Sequence, residues 1–147
     1  MEPLGYQRIE KAASGIGVAG LIALTVLLLL AAIPNVLRGW ELLQRGTPEA
    51  RYMSYGWWLP AGMLLAYATL VGALALTVRM SGRDRPTPLL LAGVITSLIG
   101  VAAFGSHFSG AFGFALRASV FAGLCALVAS IVLNWLRFRG HAHVPLS

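Results

Sequence analysis

The chain has 147 residues, of which 58% are hydrophobic and only 11% are charged. A soluble globular domain is usually about a quarter charged, and a domain this small has no core that could bury so much apolar surface. These values exclude an ordinary soluble domain and predict an integral membrane protein, because lipid solvates the outer faces of membrane helices. The net charge of +6 does not indicate nucleic-acid binding, since the basic residues are scattered singly between apolar segments.

Four apolar segments approach or exceed the length of about 20 residues that a helix needs to cross a bilayer. They cover residues 12–33, 57–78, 88–104 and 112–136. We expect the first helix to end at Pro34, because proline removes a backbone donor and clashes with the preceding turn. The sequence therefore predicts an all-α fold, an integral membrane bundle of four transmembrane helices that forms a single domain over residues 1–147.

The basic residues predict the orientation of this bundle. With four spans, both termini and the connection between helices two and three lie on one side of the membrane. That side carries seven basic residues, and the other side carries four: Arg8, Lys11, Arg79, Arg83, Arg85, Arg137 and Arg139 against Arg38, Arg45, Arg51 and Arg117. Because the side richer in Arg and Lys faces the cytoplasm, both termini are predicted to be cytoplasmic. The strong preference for Arg over Lys, with abundant Ala, Gly and Leu, is typical of GC-rich bacterial genomes and favours a bacterial inner membrane.

The first outer loop, residues 35–56, has a helical pattern of its own. Val36, Leu37, Trp40 and Leu43 fall on one side of a helical wheel, opposite the charged residues. This pattern predicts a short helix lying in the membrane interface. Thr47-Pro48-Glu49 then predicts the start of a second short turn. Two interpretations of the loop remain open, a lid over the bundle and a docking surface for a partner.

Small residues recur along every span, and close packing between small residues holds membrane helices together. Helix four has the longest such row, which we predict to be a helix-packing face: Ala118, Ala122, Ala126, Ser130 and Asn134. This face packs either against the other helices of the same chain or against another membrane subunit.

Ionisable residues inside spans are the usual indicators of function in membrane proteins, but no Asp, Glu, Lys or His lies deep in these segments. Arg117 lies about one turn inside helix four, and His107 lies in the outer turn before it. The two predict contact with a lipid or quinone headgroup, whereas the alternative for Arg117 is that it extends toward the headgroups without a specific ligand. The tail pair His141 and His143 is too small for a specific metal site, so we predict no metal, no cofactor and no catalytic residue.

The sequence favours a non-catalytic subunit or accessory protein of a larger bacterial inner-membrane complex. Its predicted partners are the lipid bilayer and other membrane subunits, contacted through helix four, and not nucleic acid. The alternative is a small oligomeric transporter or channel with a weakly polar path, lined by Thr69, Thr77, Thr96, Ser97, Ser119, Ser130 and Asn134. An enzyme is not predicted, because the spans supply no acid, base or activated nucleophile.

Overall fold

The computed structural model describes residues 3–80 and 86–142, with the side chains of residues 5–80 and 86–139. These residues form four α-helices: α1 (Pro3–Gln44), α2 (Pro48–Met80), α3 (Thr87–Phe104) and α4 (Gly110–Ala142). Each helix is long and apolar enough to cross a membrane, which indicates a multi-pass membrane protein. Arg83 and Arg85, which contribute to the predicted orientation, lie outside the described residues.

The predicted end of the first helix at Pro34 is wrong, because α1 continues through this proline to Gln44. Membrane helices tolerate proline where neighbouring groups satisfy the freed backbone and polar atoms. Asn35, which is buried, donates its side-chain amide to the backbone oxygen of Ala31 at 3.0 Å. The amphipathic segment after Pro34 is therefore the last part of α1 and not a separate helix.

The second helix begins at Pro48, nine residues before the predicted position 57. The Thr47 hydroxyl oxygen accepts a hydrogen bond from the Ala50 amide at 3.1 Å, as expected of an N-cap. Pro48 needs no donor in the first turn, and Glu49 interacts favourably with the positive end of the helix dipole. The capping signal was located correctly, but it starts α2 itself rather than a short separate turn.

The helices are arranged in the order α2, α1, α4, α3. The pairs α1–α2, α1–α4 and α3–α4 pack extensively, whereas α2 and α3 make few contacts. Successive helices are antiparallel, so the start of α1 and the end of α4 lie at one end of the bundle, the termini end. The α1–α2 and α3–α4 connections lie at the other end, which we call the hairpin end.

The most buried positions of the interior hold large side chains from α1, α2 and α3 and small ones from α4. Leu21, Leu28, Leu64 and Val71 are fully buried. Among the side chains of α4 that the structure describes, the fully buried ones are small: Ala115, Ser119, Ala126 and Ser130. Only 33–39% of the residues in the most apolar stretch of each helix are buried. The rest of this apolar surface faces outward, where lipid would cover it.

Glycines let α3 and α4 approach at backbone distance, along what we call the glycine seam, Gly93, Gly100 and Gly123. A Cβ atom on Gly93 would lie 2.9 Å from the Leu127 amide nitrogen, and one on Gly123 would lie 2.6 Å from the Ser97 nitrogen. A Cβ on Gly100 would collide with Val120. Without side chains at these positions, the two backbones gain dispersion contacts that lipid cannot replace.

Gly123→Ala tests the seam, because the added methyl group forces the two backbones apart. We expect the free energy of unfolding to fall by roughly 1–3 kcal/mol, the usual range for overpacking, measured as a lower unfolding midpoint in detergent. Gly62→Ala is the matched control, since a Cβ there meets no atom within 4 Å and alanine favours a helix more than glycine does. Equal midpoints for the two variants would show that the seam is absent.

Candidate functional site

The α3–α4 turn is the first candidate site, and Arg117 holds it in place. The Arg117 guanidinium donates a hydrogen bond to the backbone oxygen of Phe108 at 2.9 Å. The Phe108 and Phe112 rings meet edge to face, with centroids 5.0 Å apart. Gly113 leaves room for the Phe108 carbonyl, which a Cβ at that position would strike. The turn is therefore tied to the first turns of α4 by one charged side chain and one aromatic pair.

His107 and Arg117 lie at the same turn, between α3 and α4. His107 is exposed and immediately precedes Phe108, whose carbonyl binds Arg117. Side chains on a helix lean toward its N-terminus, so Arg117 extends toward the hairpin end although its Cα lies inside α4. A headgroup contact by these two residues stays a prediction, since the hydrogen bond to Phe108 already gives Arg117 a structural role.

The second candidate site is the outer part of the α1–α2 hairpin. Gly20 of α1 lies against Cys125 of α4, and α4 begins fifteen residues before Cys125, at Gly110. Because α1 and α4 are antiparallel, the residue of α1 level with Gly110 is the one fifteen positions after Gly20, which is Asn35. The nine further residues of α1 to Gln44 therefore extend past α4 by about 13 Å at 1.5 Å per residue. We call this protruding part, residues 36–58, the hairpin arm.

The hairpin arm has a packed interior and an aromatic exterior. Trp58 packs on Gly39, where a Cβ would lie 3.0 Å from the indole nitrogen, and Leu42, Ala50 and Ser54 are buried. Outward lie Trp40, Tyr52 and Tyr55, which are 57%, 80% and 63% exposed. The two tyrosines line a shallow groove with Gly46, Pro48 and Arg51.

Charged side chains form ion pairs on the surface of the arm, but these pairs add little to its stability. Glu41 accepts hydrogen bonds from Arg38 at 2.9 Å and from Arg45 at 3.4 Å. These ion pairs are exposed, and exposed pairs contribute roughly 0–1 kcal/mol. The apolar contacts between the two helices, such as Trp58 on Gly39, are therefore what keeps the arm together.

The predicted packing face of helix four is used inside the chain. Ala122, Ala126 and Ser130 are buried, Ala118 is half-buried and only Asn134 is exposed. The Ala122 backbone lies beside Gly20 of α1, and the Ser130 hydroxyl donates to the Pro86 oxygen at 3.3 Å. Within the described residues, this face therefore packs against the other helices of the same chain. A partner on α4 would have to bind a different side of the helix.

The seven residues of the predicted polar path do not form one row within the chain. Thr69, Thr77 and Asn134 are exposed, whereas Thr96, Ser119 and Ser130 are fully buried. The threonine hydroxyls donate to backbone oxygens four residues earlier, at 2.7–2.9 Å. Ser97 is half-buried, and its hydroxyl oxygen, which is fully covered, has no hydrogen-bond partner among the described residues.

A hydrogen bond between the side chains of two helices was not predicted. The Tyr67 hydroxyl of α2 donates to the Ser119 hydroxyl of α4 at 3.0 Å. The two residues are separated by 52 positions, so no local pattern in the sequence indicates this bond. It links α2 directly to α4, although α2 and α4 are not neighbours in the order of packed helices.

Within the described residues, no group of three or more His, Cys, Asp and Glu is placed to hold a metal ion. The His141 side chain and the whole of His143 lie outside the described part of the chain. Comparison with models of protein families, with curated proteins and with solved structures finds no match.

Arg117→Gln tests whether this arginine holds the α3–α4 turn. The shorter side chain no longer reaches the Phe108 carbonyl, so we expect the unfolding free energy to fall by roughly 0.5–1.5 kcal/mol, with an equal fall for Arg117→Leu. The measurement is the unfolding midpoint in detergent. Arg137→Gln, at an exposed arginine of the same helix, is the control and should match the wild type. A wild-type midpoint for both Arg117 variants would refute the structural role.

Proposed function

We propose that the protein is a non-catalytic subunit or assembly factor of a larger complex in a bacterial cytoplasmic membrane, and that the hairpin arm is its main docking element. The observation that carries this proposal is the arm itself, which extends past α3 and α4 and exposes Trp40, Tyr52 and Tyr55. Tyr and Trp are enriched in protein interfaces, where they combine a large apolar area with a polar group. An arm held together by its own core also loses little conformational entropy on binding.

The orientation proposed for this complex follows from the distribution of charge. The termini side carries seven basic residues and the hairpin side four, so the positive-inside rule favours cytoplasmic termini. The arm then lies on the outer face of the membrane. Its partner would be a protein with a segment at or just above the outer headgroups, the level at which amphipathic Tyr and Trp side chains are favoured.

A non-catalytic role is supported by the chemistry of the spans. The hydroxyl groups of Thr25, Thr69 and Thr96 are bonded to their own helix backbones. The Ser119 hydroxyl accepts a hydrogen bond from Tyr67, and the Ser130 hydroxyl donates one to the Pro86 oxygen. Hydroxyl groups committed to structural hydrogen bonds are poorly suited to bind or transform a substrate.

A contact through helix four is retained in the proposal, but on its outer side. Four large residues spaced seven apart form an exposed stripe there, Phe114, Phe121, Val128 and Trp135, each at least 51% exposed. A spacing of seven places residues on one side of an α-helix. This stripe offers a partner helix a continuous surface, in contrast to the alanine face that α1 already covers.

Affinity purification of the full chain from gently solubilised membranes tests the proposal. We expect the wild type to co-purify with a different membrane protein in a fixed molar ratio. The double variant Tyr52→Ala/Tyr55→Ala should recover at least tenfold less of this partner, because hot-spot aromatic residues contribute about 2 kcal/mol or more each. Leu98→Ala, at a position of α3 that is 65% exposed, is the control and should retain the partner. A pure homo-oligomer that moves solute across liposome membranes would instead support the transporter alternative.

A further inference from the structure

A shallow apolar groove runs along the outer surface between α1 and α2. Gly72 of α2 forms its floor, because a Cβ there would already lie 3.5 Å from the Thr25 methyl group. The Thr25 hydroxyl donates to the Leu21 oxygen at 2.9 Å, so it is already satisfied within α1. The floor is therefore apolar and lower than the surface on either side of it.

The walls of the groove are large aliphatic side chains that stand out from the bundle. Ile22 and Val26 of α1 are 46% and 50% exposed, and Leu76 of α2 is 58% exposed. Both helices are membrane-spanning candidates, so the groove opens toward lipid. A narrow apolar depression in that position suits a flexible hydrocarbon chain, which can follow its shape.

Arg79 lies at one end of the groove, in the last turn of α2. Its side chain is exposed, and no described acidic side chain lies within salt-bridge distance of it. A guanidinium on a long aliphatic stem keeps its charge at headgroup level, and its planar donors match the oxygens of a phosphate group. One end of the groove is thus cationic and the remainder is apolar.

We propose that this groove binds an anionic phospholipid, with one acyl chain along Gly72 and the phosphate paired with Arg79. The length of the groove favours a lipid over a partner helix. From Gly72 to Arg79 the groove spans about 10 Å at 1.5 Å per residue, which is less than one leaflet of a hydrocarbon core about 30 Å thick. A transmembrane partner would need a contact surface through both leaflets.

The test compares two lipids with identical acyl chains, phosphatidylglycerol and phosphatidylcholine, mixed in equal amounts with the full chain in detergent. Lipid retained per chain is counted by native mass spectrometry. We expect the wild type to retain one phosphatidylglycerol in preference to phosphatidylcholine. Arg79→Gln should lower this preference about fivefold, equivalent to about 1 kcal/mol for one basic residue near an anionic headgroup. Arg137→Gln, the control at another exposed arginine, should keep the preference.

A second pair of variants tests the apolar part of the groove. Gly72→Leu fills the floor and should reduce retention of both lipids, whereas Gly72→Ala, whose Cβ fits at ordinary contact distance, should retain them. Gly62→Leu is the control, because a Cβ there meets no atom within 4 Å. If Gly72→Leu fails to fold, the comparison of Arg79→Gln with Arg137→Gln decides alone.

Three outcomes would overturn the proposal. The first is equal retention of the two lipids by the wild type. The second is a loss of preference in Arg137→Gln as large as that in Arg79→Gln, which would indicate a general effect of charge. The third is a wild-type dimer that Gly72→Leu separates, which would show that a second copy of the chain occupies the groove.

Discussion

Close approach of helix backbones at small residues is the interaction on which this fold depends. In lipid no hydrophobic force brings one helix to another, so helices associate where their surfaces allow dense packing. Helix α4 is central to this arrangement, because it meets α3 along the glycine seam and meets α1 at Gly17 and Gly20. At its most buried positions α4 carries only alanine and serine, Ala115, Ser119, Ala126 and Ser130, which leaves space for the fully buried leucines of α1 and α2.

The hairpin arm follows from the same arrangement. Because α3 has only 18 residues and α4 begins beside Asn35, the long helices α1 and α2 have only each other to pack against beyond that level. Gly39 and Trp58 provide this contact. The chain thus combines four apolar helices with a protruding arm rich in exposed aromatic side chains, and the proposed roles are divided in the same way between the lipid groove and the arm.

Much of the fold was predictable from the sequence, because the length and apolarity of a span depend on local composition alone. The four spans and the N-cap at Thr47 were located in this way. The continuation of α1 through Pro34 was not, because it depends on the packing of α2 alongside α1 and not on the local sequence. The row of small residues on α4 was recognised, but a row of this kind does not reveal whether its partner is α1 or another protein. The contact of Arg117 with Phe108 likewise depends on the conformation of the α3–α4 turn.

The α1–α4 interface provides the most direct measurement of the central claim. A Cβ at Gly20 would lie 3.3 Å from the Cβ of the native Cys125, close to the 3.5–4.5 Å found across disulfides. Under mild oxidation in membranes, Gly20→Cys should therefore form a disulfide within one chain, seen as loss of both free thiols without a dimer. Gly15→Cys, at a site with no atom within 4 Å, should not. Free thiols in the Gly20 variant, or a disulfide only between two chains, would contradict the packing of α4 against α1.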